Sequence, residues 1–237
     1  MLVLAGDAVL GGPSADAALG PLLLRRGLGE ADEILRIYSP RPTAAFSRRD
    51  TLRPGYDRAA AAARSMGFTP VVRPQGGSLA AYHRAGVVID HVRREPGSVT
   101  GPVERFREFA VRHAAVLSKL GADARIGAVP GEYCPGEYSI NAGGLHKIVG
   151  SAQRVTRDGW LFSTVIQVGG TAVLREVLTA AYRELGYDFD PATVGALEDT
   201  VAGITVEAVV EAMLAAYDAP RPAAVLPPAL RAELTGG

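Results

Sequence analysis

Apolar and polar positions alternate along this chain with two different periods, and the changes of period divide it into elements. In "SADAALGPLLLRRGLG" Leu19, Leu22 and Leu23 fall on one helical face, Ser14 is placed to cap the start and Gly27 to stop it. "EILRIYS" and "PTAAFS" then read as short strands. "RPGYDRAAAAARSMG" is an alanine-rich helix entered after Pro54 and closed at Gly67. "FTPVVRP" and "GVVIDHV" read as strands on either side of a glycine-bearing loop.

After "TGP", Val103, Phe106, Ala110, Ala114 and Leu117 recur three or four apart, with Arg105, Glu108, Arg112 and Lys119 on the other face and Gly121 at the end. From Tyr138 to Val168 the period becomes two. "KIVGSAQRV" and "WLFSTVIQV" form a β-meander with turns at Gly143-Gly144 and Asp158-Gly159. Two amphipathic helices follow. Thr171 caps one carrying Val173, Leu174, Val177, Leu178, Ala181 and Leu185, and Thr205 caps one carrying Val209, Val210, Met213, Leu214 and Tyr217. Helices and mostly antiparallel strands are mixed without a βαβ rhythm. The expected class is α+β, a single domain with a central mixed, largely antiparallel sheet flanked by helices. The domain is expected over 1–218, with 219–237 a loosely attached proline-rich tail.

Composition changes this picture little. The chain has 237 residues, 48% hydrophobic and 21% charged, with 25 basic and 25 acidic side chains. That length supports a substantial core, and the neutral balance gives no global pull toward nucleic acid or anionic membrane. No stretch approaches the ~20 apolar residues of a membrane span. "MLVLAGDAVLGGPS" lacks a basic leader, and a single cysteine forms no internal disulfide, so a cytoplasmic setting is expected. His83, His91, His113, His146 and Cys134 show no paired ligand spacing, so zinc is not expected.

Three segments carry candidate chemistry. "RPQGGSLAAYH", Arg73 to His83, sets paired glycines between two strands, where the backbone can approach a ligand and offer N–H donors beside a fixed cation. The bland alternative is a tight turn with a surface arginine. Lys147 lies in an extended segment and shares a face with Val149 and Ser151, opposite His146, Ile148 and Gly150. The small residues Gly150, Ser151 and Ala152 leave room beside it. An edge-strand surface lysine is the other reading. Cys134, between Glu132-Tyr133 and Pro135-Gly136, sits in a turn, which leaves open whether the thiol is presented or buried and inert.

Taken in order, "LRIYSPRPTAAFSRRD", "RPQGGSLAAYH" and "KIVGSAQRV" resemble the catalytic domain shared by lipoate–protein ligases, biotin–protein ligases and octanoyl transferases, over roughly Ala15 to Tyr217. "GEYCPGEYSINAGGLHKIVGSAQR", with its cysteine upstream of the lysine, is most similar to the cysteine-dependent octanoyl and lipoyl amidotransferases. The chain departs from the ligases' arginine–glycine loop in having Pro74 after Arg73 and Ser78 after Gly77.

The resemblance implies a biotin/lipoate protein ligase-like fold with an acyl tunnel, to which Leu79, Val87, Ile89 and Val149 are expected to contribute. Burying an eight-carbon chain there is worth roughly 5 kcal/mol before entropy losses. It implies Cys134 and Lys147 as catalytic residues, the thiolate forming an acyl-cysteine and the lysine meeting the acyl carbonyl oxygen, where one lost donor costs ~10²–10³ in rate. Arg73, Gly76, Gly77, Ser78, His83, Gly150, Ser151 and Ala152 are implied to bind substrate.

The transfer needs no cofactor and takes an octanoyl or lipoyl group as substrate. The implied partners are lipoyl-domain carriers, namely glycine cleavage H protein and 2-oxoacid dehydrogenase E2 subunits, with acyl carrier protein as a further donor and neither nucleic acid nor membrane. Arg48, Arg49 and Arg53 are expected to dock the acidic carrier. Two alternatives stand beside this reading. One is a lipoate–protein ligase using ATP and Mg to form lipoyl-adenylate, with Cys134 a bystander. The other is a non-catalytic carrier-binding module.

Overall fold

A computed structural model of the chain describes residues 1–7, 11–96, 101–219 and 225–235. The elements in order are β1 (Leu2–Asp7), α1 (Gly12–Arg26), β2 (Glu33–Ser39), β3 (Thr43–Phe46), α2 (Tyr56–Ser65), β4 (Thr69–Val72), β5 (Ala80–Tyr82), β6 (Gly86–Arg94) and α3 (Pro102–Lys119). They continue with β7 (Ala124–Ile126), β8 (Ile140–Ala142), β9 (His146–Thr156), β10 (Gly159–Gln167), α4 (Thr171–Leu185), α5 (Val206–Ala216) and α6 (Pro228–Thr235). Seven strands form one sheet in the order β1-β2-β6-β10-β9-β8-β7, and β4-β3-β5 form a second, smaller one.

The large sheet is covered on both faces because its strands are apolar on both. Along β2, Ile34 belongs to a cluster with Leu19, Leu23 and Leu24 of α1, while Leu35 and Ile37 belong to one with Phe109 and Leu117 of α3 and Met213 of α5. Leu161 and Phe162 of β10 divide in the same way. A third cluster joins Phe46 of the small sheet to Ala59 and Ala63 of α2 and to Leu174, Leu178 and Tyr182 of α4. The architecture is the expected α+β, with β6, β10, β9 and β8 antiparallel in succession.

Several local expectations change. The chain does contain parallel crossovers: β1 pairs in parallel with β2 across α1, and β3 with β4 across α2. α1 starts at Gly12, ahead of Ser14, because Pro13 supplies a preset φ in its first turn; Gly27 closes it as expected, its N–H donating to Leu23 O. Val103 and Val173 extend their helices' apolar pattern but are exposed. Gly170 caps α4 and Thr171 is its first helical residue, whereas the Thr205 hydroxyl accepts the Ala208 N–H as expected.

The second meander turn falls at Arg157 and Asp158, which makes Gly159 the first residue of β10. Only glycine fits there. Its φ is +138° and a Cβ would lie 2.1 Å from Arg93 O. At the C-terminus, α6 is docked rather than loose. Leu226, Leu230 and Leu234 pack against the α1 cluster, and Glu233 pairs with Arg26 at 3.2 Å. Residues 220–224 and 236–237 of the expected tail lie outside the described residues.

Candidate active site

The glycine loop between β4 and β5 is anchored at its start by the Arg73 N–H, which donates to Phe46 O at 2.8 Å. Gly77 then takes φ +96°, which turns the chain so that the Ser78 N–H donates to Cys134 Sγ at 3.2 Å. A Cβ on Gly77 would sit 2.8 Å from that sulfur and 3.0 Å from Arg73 Nη2. Close approach is thus the reason for this glycine. Arg73 Nη2 donates to Ser78 O at 2.8 Å and lies 3.8 Å from Cys134 Sγ. The sulfur therefore faces a backbone donor and a guanidinium, on the side where a thiolate carries its charge.

Cys134 itself has φ +43°, one of two non-glycine residues among those described with a positive value. A left-handed cysteine persists only where its surroundings fix it. Here they do so from both sides of the peptide. The Cys134 N–H donates to the Tyr182 hydroxyl at 2.8 Å, and that hydroxyl donates to Leu79 O at 2.9 Å. Burial pushes the Tyr182 phenol well above its ordinary pKa, so the hydroxyl keeps the proton it donates.

On the other side Lys147 Nζ donates to Cys134 O at 2.7 Å, Tyr133 O at 3.0 Å and Glu132 Oε1 at 3.0 Å. Glu132 Oε1 also accepts from Ser139 Oγ at 2.6 Å and the Gly136 N–H at 3.1 Å, while Oε2 accepts the Val129 N–H at 2.9 Å. The Lys147 and Glu132 side chains are 2% and 0% exposed. Lys147 is therefore a buried ion-paired strut, and an ammonium has only three protons. All three are used within the protein, so the expected contact with an acyl carbonyl oxygen would require one of these bonds to break.

These groups open on a cavity of about 490 Å³ under α1. Cys134, Lys147, Arg73, Gly76, Gly77, Gly150, Ser151 and Ala152 all line it. Ser78 reaches the sulfur without being among the lining residues. His83 is elsewhere: its Nδ1 accepts the Ala85 N–H at 3.2 Å, and its ring packs edge-on to Phe68. Burial lowers its pKa, and it shapes the turn into β6.

The expected apolar lining is displaced by one residue. Ala80 and Val88 line the cavity, whereas Val87, Ile89 and Val149 belong to the α3 side of the sheet and Leu79 to the small-sheet cluster. In a strand, a shift of one residue exchanges the faces. Arg53 is also reassigned from docking. It donates to the carbonyls of Leu185 and Gly186 and stacks on Tyr187, closing the end of α4. Sequence reasoning passed over Glu132 and Tyr182. Only the Val129, Gly136 and Ser139 contacts within the same loop were near enough in sequence to hint at Glu132.

The sequence and the fold have parallels in known proteins. The lipoyl protein ligase A/B catalytic domain, as a family pattern, matches residues 17–218. The chain belongs to this family. The matched pattern is a catalytic domain, so the chain is an enzyme of this family, tied at family level to lipoyl transfer and ligase chemistry, which sets aside a non-catalytic module.

An octanoyl-[GcvH]:protein N-octanoyltransferase of Geobacillus kaustophilus is 31% identical over 161 residues, 68% of this chain and 56% of the relative. Its counterpart in Anoxybacillus flavithermus is 25% identical over 149 residues, 63% of this chain and 53% of the relative. The chain thus matches about half the length of these curated relatives. In fold it resembles a lipoate-protein ligase A bound with ATP, with TM-score 0.75, 16% identity and coverage of 99% and 94% of the two chains. It also resembles a T. acidophilum protein with bound lipoic acid, with TM-score 0.74, 18% identity and coverage of 99% and 92%. Among the described residues no helix is long and apolar enough to cross a membrane.

Proposed function

We propose that this member of the lipoyl protein ligase A/B family is an acyltransferase that moves an octanoyl or lipoyl group between carrier proteins through an acyl-cysteine on Cys134. The observation that carries the reading is the placement of the chain's one thiol. Its sulfur lines the cavity and faces the Ser78 N–H at 3.2 Å and Arg73 Nη2 at 3.8 Å.

In the first half-reaction the thiolate attacks the acyl carbonyl carbon of the donor. With an amide donor the C–N bond breaks and the carrier's lysine leaves as a neutral amine, taking up one proton from water; with a thioester donor a thiolate leaves. In the second, a neutral lysine amine of the acceptor domain attacks the thioester, the C–S bond breaks, the amine gives up a proton and the thiolate returns. Exchange between two amides is near balance and follows mass action, whereas a thioester donor makes it downhill; neither needs ATP. The 31% identical octanoyl-[GcvH] transferase supports glycine cleavage H protein as donor and a protein as acceptor; the acceptors we propose are lipoyl domains of 2-oxoacid dehydrogenase E2 subunits. A lone thiol stays reduced in the cytoplasm, which suits this chemistry.

ATP-dependent ligation is the second reading. It draws on the fold shared with an ATP-bound lipoate-protein ligase and on Lys147 lying in the cavity. In that reading the glycine loop lies near the adenylate and Cys134 is a bystander. Intact-mass spectrometry separates the two. With octanoyl-H protein the wild type should gain one octanoyl mass and pass it to an acceptor, and Cys134→Ser should do neither. Full transfer by Cys134→Ser, or lipoylation only with lipoate, ATP and magnesium, sinks the transferase reading.

A further inference from the structure

Strand pairing lays a polar row across the cavity side of the large sheet. Arg36 stands opposite Asp90, Asp90 opposite Ser163, and Ser163 opposite Ala152. The rows on either side are largely apolar: Ile34, Val92 and Leu161 on one, ending at Arg154 on β9, and Tyr38, Val88, Val165 and Gly150 on the other. Gly150 lies beside Lys147, whose Cε would be 3.3 Å from a Cβ there. Ser163 is two residues along β10 from Gly150's partner Val165, roughly 7 Å farther from the lysine. Asp90, Ser163 and Gln75 all line the cavity, and Gln75 and Asp90 are 8% and 6% exposed.

The hydrogen bonds in this row do not close. The Ser163 hydroxyl donates its one proton to Asp90 Oδ1 at 2.6 Å. Its 2.8 Å contact with Gln75 is then Nε2 donating to Ser163 Oγ, which fixes the amide's orientation. Gln75 Oε1 is left buried with no partner. Asp90 Oδ2 faces Arg36 Nη1 at 3.7 Å, too far for a hydrogen bond, and Arg36 is held instead by Asp16. One acceptor, Gln75 Oε1, therefore lacks a partner, and Asp90 Oδ2 has only the longer ion pair with Arg36. The three charges, Arg36, Asp16 and Asp90, sum to minus one, which disfavours an anionic occupant.

We propose that this part of the cavity selects an acyl group whose far end carries hydrogen-bond donors, a hydroxyl or a thiol, over one ending in methyl. The proposal rests on reading the cavity as the acyl site. A methyl-ended chain would leave the buried Gln75 Oε1 unmet and cover Asp90 Oδ2, whose one partner is Arg36 at 3.7 Å, whereas a donor-bearing end meets one of them. Within the eight-carbon class the chain with two reduced thiols offers two donors, and its cyclic disulfide offers none. The hydroxyl is the stronger donor and makes the sharper probe.

Calorimetric titration with the free acids provides the test. 8-Hydroxyoctanoate should bind about tenfold more tightly than octanoate, the worth of one such acceptor met, and the reduced dithiol acid more tightly than its disulfide form. In Gln75→Leu the hydroxy acid's advantage should shrink while octanoate binding holds or improves. Equal affinities in the wild type, tighter octanoate, or no binding of either acid would overturn the proposal, and the wild-type comparison stands even if the variant misfolds. Adduct formation on Cys134 is scored separately. Preference without an adduct would sink the transferase reading and leave the selection, and an adduct without preference would do the reverse.

Discussion

Replacing Lys147 by methionine removes the ammonium while keeping most of the side chain's length. Three acceptors each lose a bond: Glu132 Oε1, Tyr133 O and Cys134 O. The carboxylate is 0% exposed and would remain buried without its counter-charge. Breaking a buried pair in this way costs about 3–5 kcal/mol. Glu132 keeps its bonds from Ser139, Gly136 and Val129, so the lower end of that range is expected. At this chain length the melting temperature should fall by roughly 6–12 °C, taking 2–4 °C per kcal/mol.

The double variant Lys147→Met with Glu132→Gln removes the stranded charge and should recover part of the loss. Recovery is partial because an amide group must then face one of the backbone N–H donors that both carboxylate oxygens now accept. Denaturant titration of the four proteins gives the coupling, expected at roughly 1–3 kcal/mol. Acyl-enzyme formation should stay low in the double variant, since the Cys134 carbonyl has still lost its anchor. A stability loss under about 1 kcal/mol with activity abolished would refute the strut and return Lys147 to a donor role at the substrate.

Gly77→Ala combines a positive φ with a Cβ 2.8 Å from Cys134 Sγ, so it should slow adduct formation far more than it lowers stability, read by intact mass and melting; unchanged kinetics would contradict the close approach. His113 is fully buried, and desolvation, then the Arg112 charge, push its pKa down to about 3. The unfolded chain binds the proton below about pH 6.5 and the folded protein does not, so stability should fall as pH drops from about 6.5 toward 3. His113→Phe should flatten that slope in pH-dependent denaturation, and an unaltered slope would reject the assignment. Arg48 is exposed on the turn after β3, and Arg48→Glu should slow carrier association with a weaker salt dependence in stopped-flow binding; no change would move the docking face elsewhere. Arg49 is the less clean target there, because it donates to Ser78 Oγ beside the thiol.

The elements were legible in sequence because their signals are local. Helical spacing marks α2, α3, α4 and α5, and alternation with glycine turns marks β8 to β10. Arg73, Gly76, Gly77, Cys134 and Lys147 stood out as residue types, and the fold brings all five to one cavity. The parallel crossovers were not legible, since the choice of a strand's neighbour depends on distant pairing, such as Leu2 with Ile34.

Side-chain roles were equally hidden. The pattern shows that Lys147 lies in a strand beside small residues, but only the packed loop supplies Glu132 and two carbonyls to take its protons. A period of two gives each strand two faces without saying which meets the cavity, so Val87 and Ile89 were chosen where Val88 and Asp90 stand. The polar row beneath α1 arises from register among β2, β6 and β10, which are separated by dozens of residues. Sequence by itself determined which chemical groups this protein owns and the local shape of the segments that carry them. The tertiary structure decided which donors meet which acceptors, because a hydrogen bond or a buried charge is settled by positions a few ångströms apart in space, however far apart they lie along the chain.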